Sequence, residues 1–317
     1  MLATGIVEKL HRYFPDAQID FLLRKGNEGL LKGHPFLREV LVWDKKNGKM
    51  KNLLKLLKYV RSRKYDKVIN IQRFAATGLL TAFSGAKETI GFDKNPFSRF
   101  FTKRIMHIIS DGANTRHEAE RNNELIKDFT DDTIFKPGLH PSPADEELVR
   151  QYQQEPYITV SPASVWFTKM YPVEKWISFL NKLTEPYTIY LLGGPGDAGL
   201  ADAIQQGVPG RKVVSLCGKL NFLQSTALMK KAVMNYVNDS APMHFASSVN
   251  APVTAVYCST LPSFGFGPLS DRRFVVEIEE PLPCRPCGLH GRAACPLGHF
   301  KCAYNIKDEQ LLNTISN

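Results

Sequence analysis

Long apolar runs are scarce in this sequence of 317 residues. No stretch approaches the roughly 20 apolar residues that a membrane-spanning helix needs. The first residues lack the basic, apolar and small-residue regions of a signal peptide, so we expect a cytoplasmic protein. Cysteine is also uncommon, and four of the six cysteines lie after residue 283, which argues against a disulfide framework.

Acidic residues are outnumbered by basic ones, which gives a formal net charge of +10. Residues 1–150 hold an excess of eight positive charges, and the remaining residues hold an excess of two. The densest basic run, which only Asp66 opposes, consists of Lys45, Lys46, Lys49, Lys51, Lys55, Lys58, Arg61, Arg63, Lys64 and Lys67. Such a run attracts an anionic membrane or an anionic substrate, or is simply the solvated face of a helix. Because no interleaved aromatic residues or nucleic-acid-binding module accompany it, we expect no nucleic-acid partner.

Short apolar runs alternate with amphipathic segments, which predicts an α/β fold with parallel sheets. We expect two domains, 1–143 and 144–317, because prolines and a glycine interrupt the alternation at 136–143. The predicted strands of the first domain are Gln18–Leu23, Glu39–Val42, Lys67–Ile71 and Thr89–Phe92. Those of the second domain are Tyr157–Val160, Tyr187–Leu192, Val213–Leu216, Val233–Val237 and Val253–Tyr257.

Two loops that directly follow predicted strands of the second domain are suited to bind phosphate. Ser161–Pro172 is rich in small and hydroxyl residues and contains Lys169, whose charge would complement a phosphate group. In Asn238–His244, Asp239 or Ser240 suits the N-cap of a helix whose free N–H groups would favour a diphosphate. The alternatives are an ordinary connection between a strand and a helix for the first loop, and a helix cap with a core histidine for the second.

A glycine-rich turn, Gly193–Asp197, follows another predicted strand of the second domain. Its glycines allow close backbone approach, and Asp197 is a candidate partner for ribose hydroxyls. The turn does not have the G-x-G-x-x-G spacing and does not follow the first strand of a domain. A dinucleotide-dependent oxidoreductase is therefore disfavoured.

The four late cysteines are candidate metal ligands. Cys284, Cys287, Cys295 and Cys302 have the spacing C-x2-C-x7-C-x6-C. Four thiolates at this spacing suit a structural zinc ion or an iron–sulfur cluster, and a cytosolic location favours metal over disulfides. Free thiols and a pair of disulfides are the alternatives.

In its motifs the chain resembles glycosyltransferase family 9, the ADP-heptose:lipopolysaccharide heptosyltransferases. The resemblance covers the whole chain and rests on Phe14–Phe21, His117–Glu118, Ser161–Trp176, Gly193–Asp197, Cys217–Lys219, Asn238–His244 and Cys284–Cys302. It implies a GT-B architecture: two facing Rossmann-like domains with parallel sheets, the acceptor bound by the first domain and the donor by the second. It also implies that catalysis requires no cofactor.

The reaction that the resemblance implies is an inverting transfer of heptose, or a similar sugar, from a nucleoside-diphosphate donor. The donor would be ADP-heptose, and the acceptor would be the lipopolysaccharide core, an anionic lipid-linked oligosaccharide. The basic first domain would then make peripheral contact with the cytoplasmic face of the anionic inner membrane. By position, the donor-binding residues of the family correspond to Ser164, Val165, Lys169, Asp197, Asp239, Ser240 and His244.

The sequence departs from the family pattern in three places. Ala241 replaces a glycine, and Val165 lacks the hydroxyl that the family often has there. The family also begins with a strand and a Gly-Asp pair whose aspartate is the proposed general base, whereas Leu2–Gly5 matches the residues after that pair. We therefore expect about 15–20 further residues, including the base and the first strand, to be encoded upstream of Met1. The catalytic residue is unknown, and an inactive, truncated nucleotide-sugar-binding protein and a GT-B nucleotide-sugar epimerase are the alternative functions.

Overall fold

The computed structural model describes residues 1–109 and 115–316, which form two α/β units. The units comprise residues 2–137 and 138–317. The division lies six residues before the predicted end of the first domain, because the Pro-rich break at 141–143 is the start of a helix of the second unit. Ser142 caps that helix, Pro143–Val149, in a capping box with Asp145.

The strands and helices of the first unit alternate along the chain. The strands are β1 Asp20–Arg24, β2 Glu39–Trp43, β3 Lys67–Asn70, β4 Glu88–Phe92 and β5 Lys103–Ile105. The helices are α1 Thr4–Tyr13, α2 Lys49–Arg63, α3 Ala75–Ala82 and α4 Glu118–Asn123. Four of these strands agree with the predicted positions, whereas β5 and α3 were not predicted.

The five described strands of the first unit are divided between two sheets. Strand β1 pairs in parallel with β2, and β3, β4 and β5 form a second parallel sheet. Strands β1 and β3 are only half-buried, although central strands of parallel sheets are ordinarily buried on both faces.

Helix α1 is attached to its unit by a buried lysine. Lys9 is 1% exposed, and its ammonium group donates to the side chain of Asn123 at 2.8 Å and to the carbonyl of Thr133 at 2.9 Å. It also forms an ion pair with Asp131 at 2.8 Å. All of the hydrogens of the ammonium group are thus used, which is the condition under which a lysine is tolerated in a core.

The second unit contains a larger sheet flanked by helices. Its strands are β6 Tyr157–Ser161, β7 Thr188–Leu191, β8 Val213–Ser215, β9 Met234–Asn238, β10 Val253–Tyr257 and β11 Arg273–Glu277. Its helices are α5 Pro143–Val149, α6 Val173–Asn181, α7 Ala198–Gly207, α8 Phe222–Lys230, α9 Ala241–Ser248, α10 Lys301–Tyr304 and α11 Asp308–Ser316. Strand β11 was not predicted.

The sheet of the second unit is parallel throughout, with the strand order β11-β10-β9-β6-β7-β8. Every residue of β6, β7, β9 and β10 is buried, which accounts for the continuous apolar runs in the sequence. Trp176 and Phe179 of α6 pack with Tyr236 of β9 in its main hydrophobic core. The direction of the strand order reverses between β6 and β9, and ligands of such folds bind at this switch point.

Within the described ranges, no helix combines the length and the apolar character needed to cross a bilayer. Helix α2, with 15 residues, carries many basic side chains. The exposed ones are Lys49, Lys51, Lys55, Lys58, Arg61 and Arg63. Leu53 and Val60 of this helix are buried, so α2 has one apolar and one strongly basic face.

Replacement of the buried lysine of α1 tests its role in the first unit. We expect Lys9→Met to lower the free energy of unfolding by about 1–3 kcal/mol, because the oxygen atoms that accept from the ammonium group lose their partner. The same replacement at an exposed position of α2, Lys58→Met, should change it by less than about 0.5 kcal/mol. Urea denaturation measures both variants, and equal effects would contradict the role assigned to Lys9.

Candidate functional site

The loops that follow β6 and β9 lie side by side at the carboxyl edge of the larger sheet, because β6 and β9 are paired neighbours. They are the two loops, Ser161–Pro172 and Asn238–His244, that the sequence analysis selects. The reversal of strand order between β6 and β9 opens this edge to a ligand. The candidate site is therefore built around these two loops.

A buried amide joins the two loops. Asn238, at the end of β9, is 0% exposed. Its side-chain nitrogen donates to the carbonyl of Pro162 at 2.7 Å, and its side-chain oxygen accepts from the backbone N–H of Tyr171 at 3.0 Å. Both ends of the first loop are thus held by one side chain.

An ion pair spans the two loops. The ammonium of Lys169 lies 2.7 Å from a carboxylate oxygen of Asp239, and the two side chains are 16% and 11% exposed. The hydroxyl of Thr260, which follows β10, donates to the same carboxylate at 2.6 Å. Lys169 is therefore a partly buried, paired residue rather than an ordinary surface lysine. The ammonium group of Lys169 is thus held at the carboxyl edge of the sheet, in a position suited to bind an anionic ligand.

Helix α9 begins directly beside this ion pair. Its N-cap is Ser240, one of the two predicted residues, and Pro242 lies in its first turn. The Ser240 side chain does not cap the helix and instead donates to the carbonyl of Asn238 at 3.4 Å. Asp239 does not cap the helix either, because its carboxylate is held by Lys169. The first turn of α9 thus has no side-chain cap among the described residues, and His244 lies half-buried in this helix.

The remaining predicted donor-binding residues are less closely gathered. Ser164 is half-buried in the first loop, whereas the side chain of Val165 is 92% exposed. Asp197 belongs to the turn after β7, where its carboxylate accepts from the backbone N–H of Gly194 at 2.7 Å. In this position the carboxylate of Asp197 shapes the glycine turn.

The four late cysteines lie between the end of β11 and the first turn of α10. Cys302 is buried at the start of α10, and Cys284, Cys287 and Cys295 are half-buried. All four are free thiols. Among the described residues, no three of their sulfur atoms lie within 4.8 Å of one another.

The sequence analysis did not identify Thr168, Ser259 or Thr260 as parts of the site. Ser259 donates from its hydroxyl to that of Thr168 at 2.9 Å, and all three residues are buried. Ser259 and Thr260 come shortly after β10. Polar residues at the carboxyl end of a parallel strand could have indicated from the sequence that they belong to the site. Thr168 stands beside Lys169 in the loop that was already selected.

Comparison with protein families gives one match, the model of glycosyltransferase family 9 (heptosyltransferase), over residues 53–290. Among curated proteins, the chain is similar to lipopolysaccharide heptosyltransferase 3 of Escherichia coli. The two are 26% identical over 275 residues, which cover 82% of this chain and 80% of that protein. The resemblance inferred from the motifs is thereby confirmed.

Two solved structures have a similar fold. The glycosyltransferase family 9 protein of Veillonella parvula has a TM-score of 0.84 and 20% identity, covering 99% of this chain and 92% of its own. The ADP-heptose LPS heptosyltransferase II of Escherichia coli has a TM-score of 0.76 and 19% identity, covering 99% and 93%. These similarities confirm the predicted GT-B class of α/β fold with parallel sheets.

Removal of the buried amide should disturb the site and the second unit together. We expect Asn238→Ala to lower the free energy of unfolding by about 1–3 kcal/mol for each buried group left unpaired, at Pro162 and Tyr171. Asn181→Ala is a matched control, because the Asn181 amide makes one hydrogen bond, to Gly207, on the exposed surface. Denaturation of both variants checks this prediction, and a loss no larger for Asn238→Ala than for the control would contradict it.

Proposed function

Because the chain belongs to glycosyltransferase family 9 (heptosyltransferase), we propose that it transfers heptose from ADP-heptose to a lipopolysaccharide core acceptor. The observation that carries this proposal is the Lys169–Asp239 ion pair beside the start of α9, at the switch point of the larger sheet. The names of the similar proteins agree with it: one is a lipopolysaccharide heptosyltransferase, and another is an ADP-heptose heptosyltransferase.

The diphosphate of the donor is proposed to bind between the loop of Lys169 and the first turn of α9. Backbone N–H groups at a helix start, together with the helix dipole, favour an anion there. Lys169 supplies the N–H donors of its ammonium group to the same place. The carboxylate of Asp239 accepts from Lys169 and Thr260, so Asp239 would orient the ammonium group rather than contact the phosphates.

The second unit is therefore proposed to bind the donor, through Ser164, Val165, Lys169, Asp197, Asp239, Ser240 and His244. Val165 has no hydroxyl and would contribute only its backbone and its apolar surface. Asp197 would contact the nucleoside only with the carboxylate oxygen that does not hold Gly194. The first unit is proposed to bind the acceptor.

The transfer is proposed to invert the anomeric centre. A hydroxyl of the acceptor attacks the anomeric carbon, the bond to the diphosphate breaks, and ADP leaves with the negative charge. Lys169 and the start of α9 stabilise that charge, and one such contact is worth about 3 kcal/mol in a transition state. In this proposal, protein groups rather than a metal ion stabilise the negative charge of the leaving ADP. A carboxylate should accept the proton of the hydroxyl, and we assign no residue of the chain to that role.

The basic face of α2 is proposed to contact the anionic acceptor and the anionic membrane that carries it. Six basic side chains of this helix are exposed, and Arg63 is the one that also pairs with Glu39, at 3.2 Å. Exposed lysines and arginines near an anionic bilayer each contribute about 1 kcal/mol to binding. The protein would then work at the cytoplasmic face of the membrane without entering it.

Titration with nucleotide sugars tests the donor proposal. We expect saturable binding of ADP-heptose and weaker binding of UDP-glucose. Lys169→Ala should weaken ADP-heptose binding by roughly tenfold or more, because a charge-assisted hydrogen bond is lost. Calorimetry measures these affinities. Lys230→Ala is the control, because Lys230 is an exposed lysine of α8 that pairs with Glu146.

Equal affinity of Lys169→Ala and the unaltered protein for ADP-heptose would overturn the role of Lys169. Circular dichroism must accompany the titration, because Lys169→Ala leaves Asp239 without its cation and should lower stability as well. Transfer itself is followed by the mass increase of a heptose-deficient lipopolysaccharide core. The configuration of the new bond, read by nuclear magnetic resonance, separates inversion from retention.

Reversal of the charge on α2 tests the membrane proposal. We expect the triple variant Lys51→Glu, Lys55→Glu, Lys58→Glu to lose at least about tenfold in binding to vesicles that contain phosphatidylglycerol. The control is Lys212→Glu, Lys230→Glu, Lys307→Glu, which changes the net charge equally on the second unit. Co-sedimentation measures both. Equal losses would show that only the net charge matters, and would overturn the assignment to α2.

A further inference from the structure

The segment between β11 and α10, residues 278–300, is held against the carboxyl edge of the larger sheet by an arginine. The side chain of Arg285 is 9% exposed and forms an ion pair with Glu277. Its guanidinium donates to the carbonyls of Cys258 and Thr260, at 2.8 Å each. Both carbonyls come shortly after β10, so the segment lies at the same edge of the sheet as the candidate site.

The same segment is hydrogen-bonded to the loop of Lys169. The backbone N–H of Thr168 donates to the carbonyl of Arg292 at 3.1 Å. In return, the backbone N–H of Arg292 donates to the hydroxyl of Thr168 at 2.8 Å. This hydroxyl also bonds to that of Ser259 at 2.9 Å, and Thr168 is 1% exposed. The residue before Lys169 is therefore fixed from two directions.

Gly291 brings the backbone of the segment against the side chain of Lys169. It has a φ of +79°, in the region that favours glycine. A Cβ atom at this position would lie 2.9 Å from Cγ of Lys169 and 3.1 Å from the hydroxyl oxygen of Thr168. Because Cγ is near the base of the lysine side chain, a displacement of Cγ moves the ammonium group as well.

The Lys169 side chain is thus confined at both of its ends. Its ammonium group lies 2.7 Å from a carboxylate oxygen of Asp239. Its first carbons lie against Gly291, and the backbone before it is held through Thr168. A free lysine side chain samples many rotamers, and a ligand that binds it must pay for their loss. A side chain that is already confined binds a ligand at a lower entropic cost.

We propose that Thr168 and Gly291 are positioning residues, which hold the Lys169 side chain at Asp239 so that its ammonium group is in place for the diphosphate of a nucleotide. Neither residue has to contact the nucleotide for this role. The part of the proposal that concerns the diphosphate rests on the proposed donor site. The part that concerns the position of the lysine does not.

The affinity for ADP of two glycine variants, measured by calorimetry, tests the role of Gly291. Gly288 is the matched control, because its φ is +82° and an added Cβ atom would meet nothing within 4 Å. Both alanine variants carry similar backbone strain, but only Gly291→Ala displaces Lys169. We expect Gly291→Ala to weaken ADP binding by at least about fivefold, and Gly288→Ala by less than about twofold. Equal affinities of the two variants would overturn the role of Gly291.

A double variant shows whether the effect passes through the lysine. In the Lys169→Ala background, Gly291→Ala should change the affinity for ADP by less than about twofold, because the side chain that it displaces is absent. An equal loss in both backgrounds would show that Gly291 acts on the fold in general, and the proposal would then be wrong.

A second pair of variants tests Thr168. Thr168→Val removes the hydroxyl that bonds to Arg292 and Ser259, and it should weaken ADP binding by at least about fivefold. Thr168→Ser keeps the hydroxyl and should bind ADP within about twofold of the unaltered protein. If valine and serine have the same effect, the hydroxyl has no positioning role. This pair also decides the proposal if Gly291→Ala does not fold.

The position of the lysine can be measured without a nucleotide. The Lys169 side chain is 16% exposed, so acetic anhydride should modify it slowly in the unaltered protein. We expect Gly291→Ala to accelerate acetylation of Lys169 by at least about threefold, because a displaced side chain is more accessible, and Gly288→Ala to leave the rate unchanged. Mass spectrometry of the peptide that contains Lys169 gives these rates.

The two measurements separate this proposal from the proposed donor site. If Gly291→Ala accelerates acetylation but the unaltered protein binds no ADP, the donor site is wrong and the positioning of the lysine stands. If the unaltered protein binds ADP, and Gly291→Ala alters neither acetylation nor affinity, the positioning role is wrong and the donor site stands.

Discussion

The candidate site depends on one buried side chain, the amide of Asn238. Asn238 lies at the end of β9, and its two hydrogen bonds hold both ends of the loop that follows the neighbouring strand β6. This loop has little regular secondary structure of its own. Because the loop is held in this way, Lys169 forms its ion pair with Asp239, next to the first residues of α9. Every group that the proposed chemistry requires for the diphosphate is positioned from these two strand ends, β6 and β9.

Regular apolar patterns made most of the fold predictable from the sequence. The buried strands β6, β7, β9 and β10 are mainly apolar, and their predicted positions agree with the structure to within one or two residues. Strand β11 was missed because it lies at the edge of the sheet and is partly exposed, so its sequence mixes arginine with valine. Helix α3 was missed because it has hardly any polar face from which a helical period can be recognised.

Only those parts of the site that a local sequence pattern marks could be predicted. Asp239 stands directly after β9 and Lys169 lies in the loop that follows β6, and parallel strands bring such loops to one edge of a sheet. The contacts of Thr168 were not predictable, because they join residues that are 91 and 124 positions apart in the sequence. Hydrogen bonds of that range leave no local pattern, so the connection between Arg292 and the loop of Lys169 required the three-dimensional structure.

The pairing of β6 with β9 has a consequence for how the second unit folds. Two strands and three helices, α6, β7, α7, β8 and α8, separate the partners, and the Asn238–Pro162 bond closes a loop of 76 residues. Contacts of such long sequence separation cost chain entropy before they contribute stability, so they form late and slowly. The candidate site is accordingly expected to be among the last parts of the unit to assemble. The proposed nucleotide donor would then bind only molecules whose folding is complete, and it would slow their loss to proteolysis.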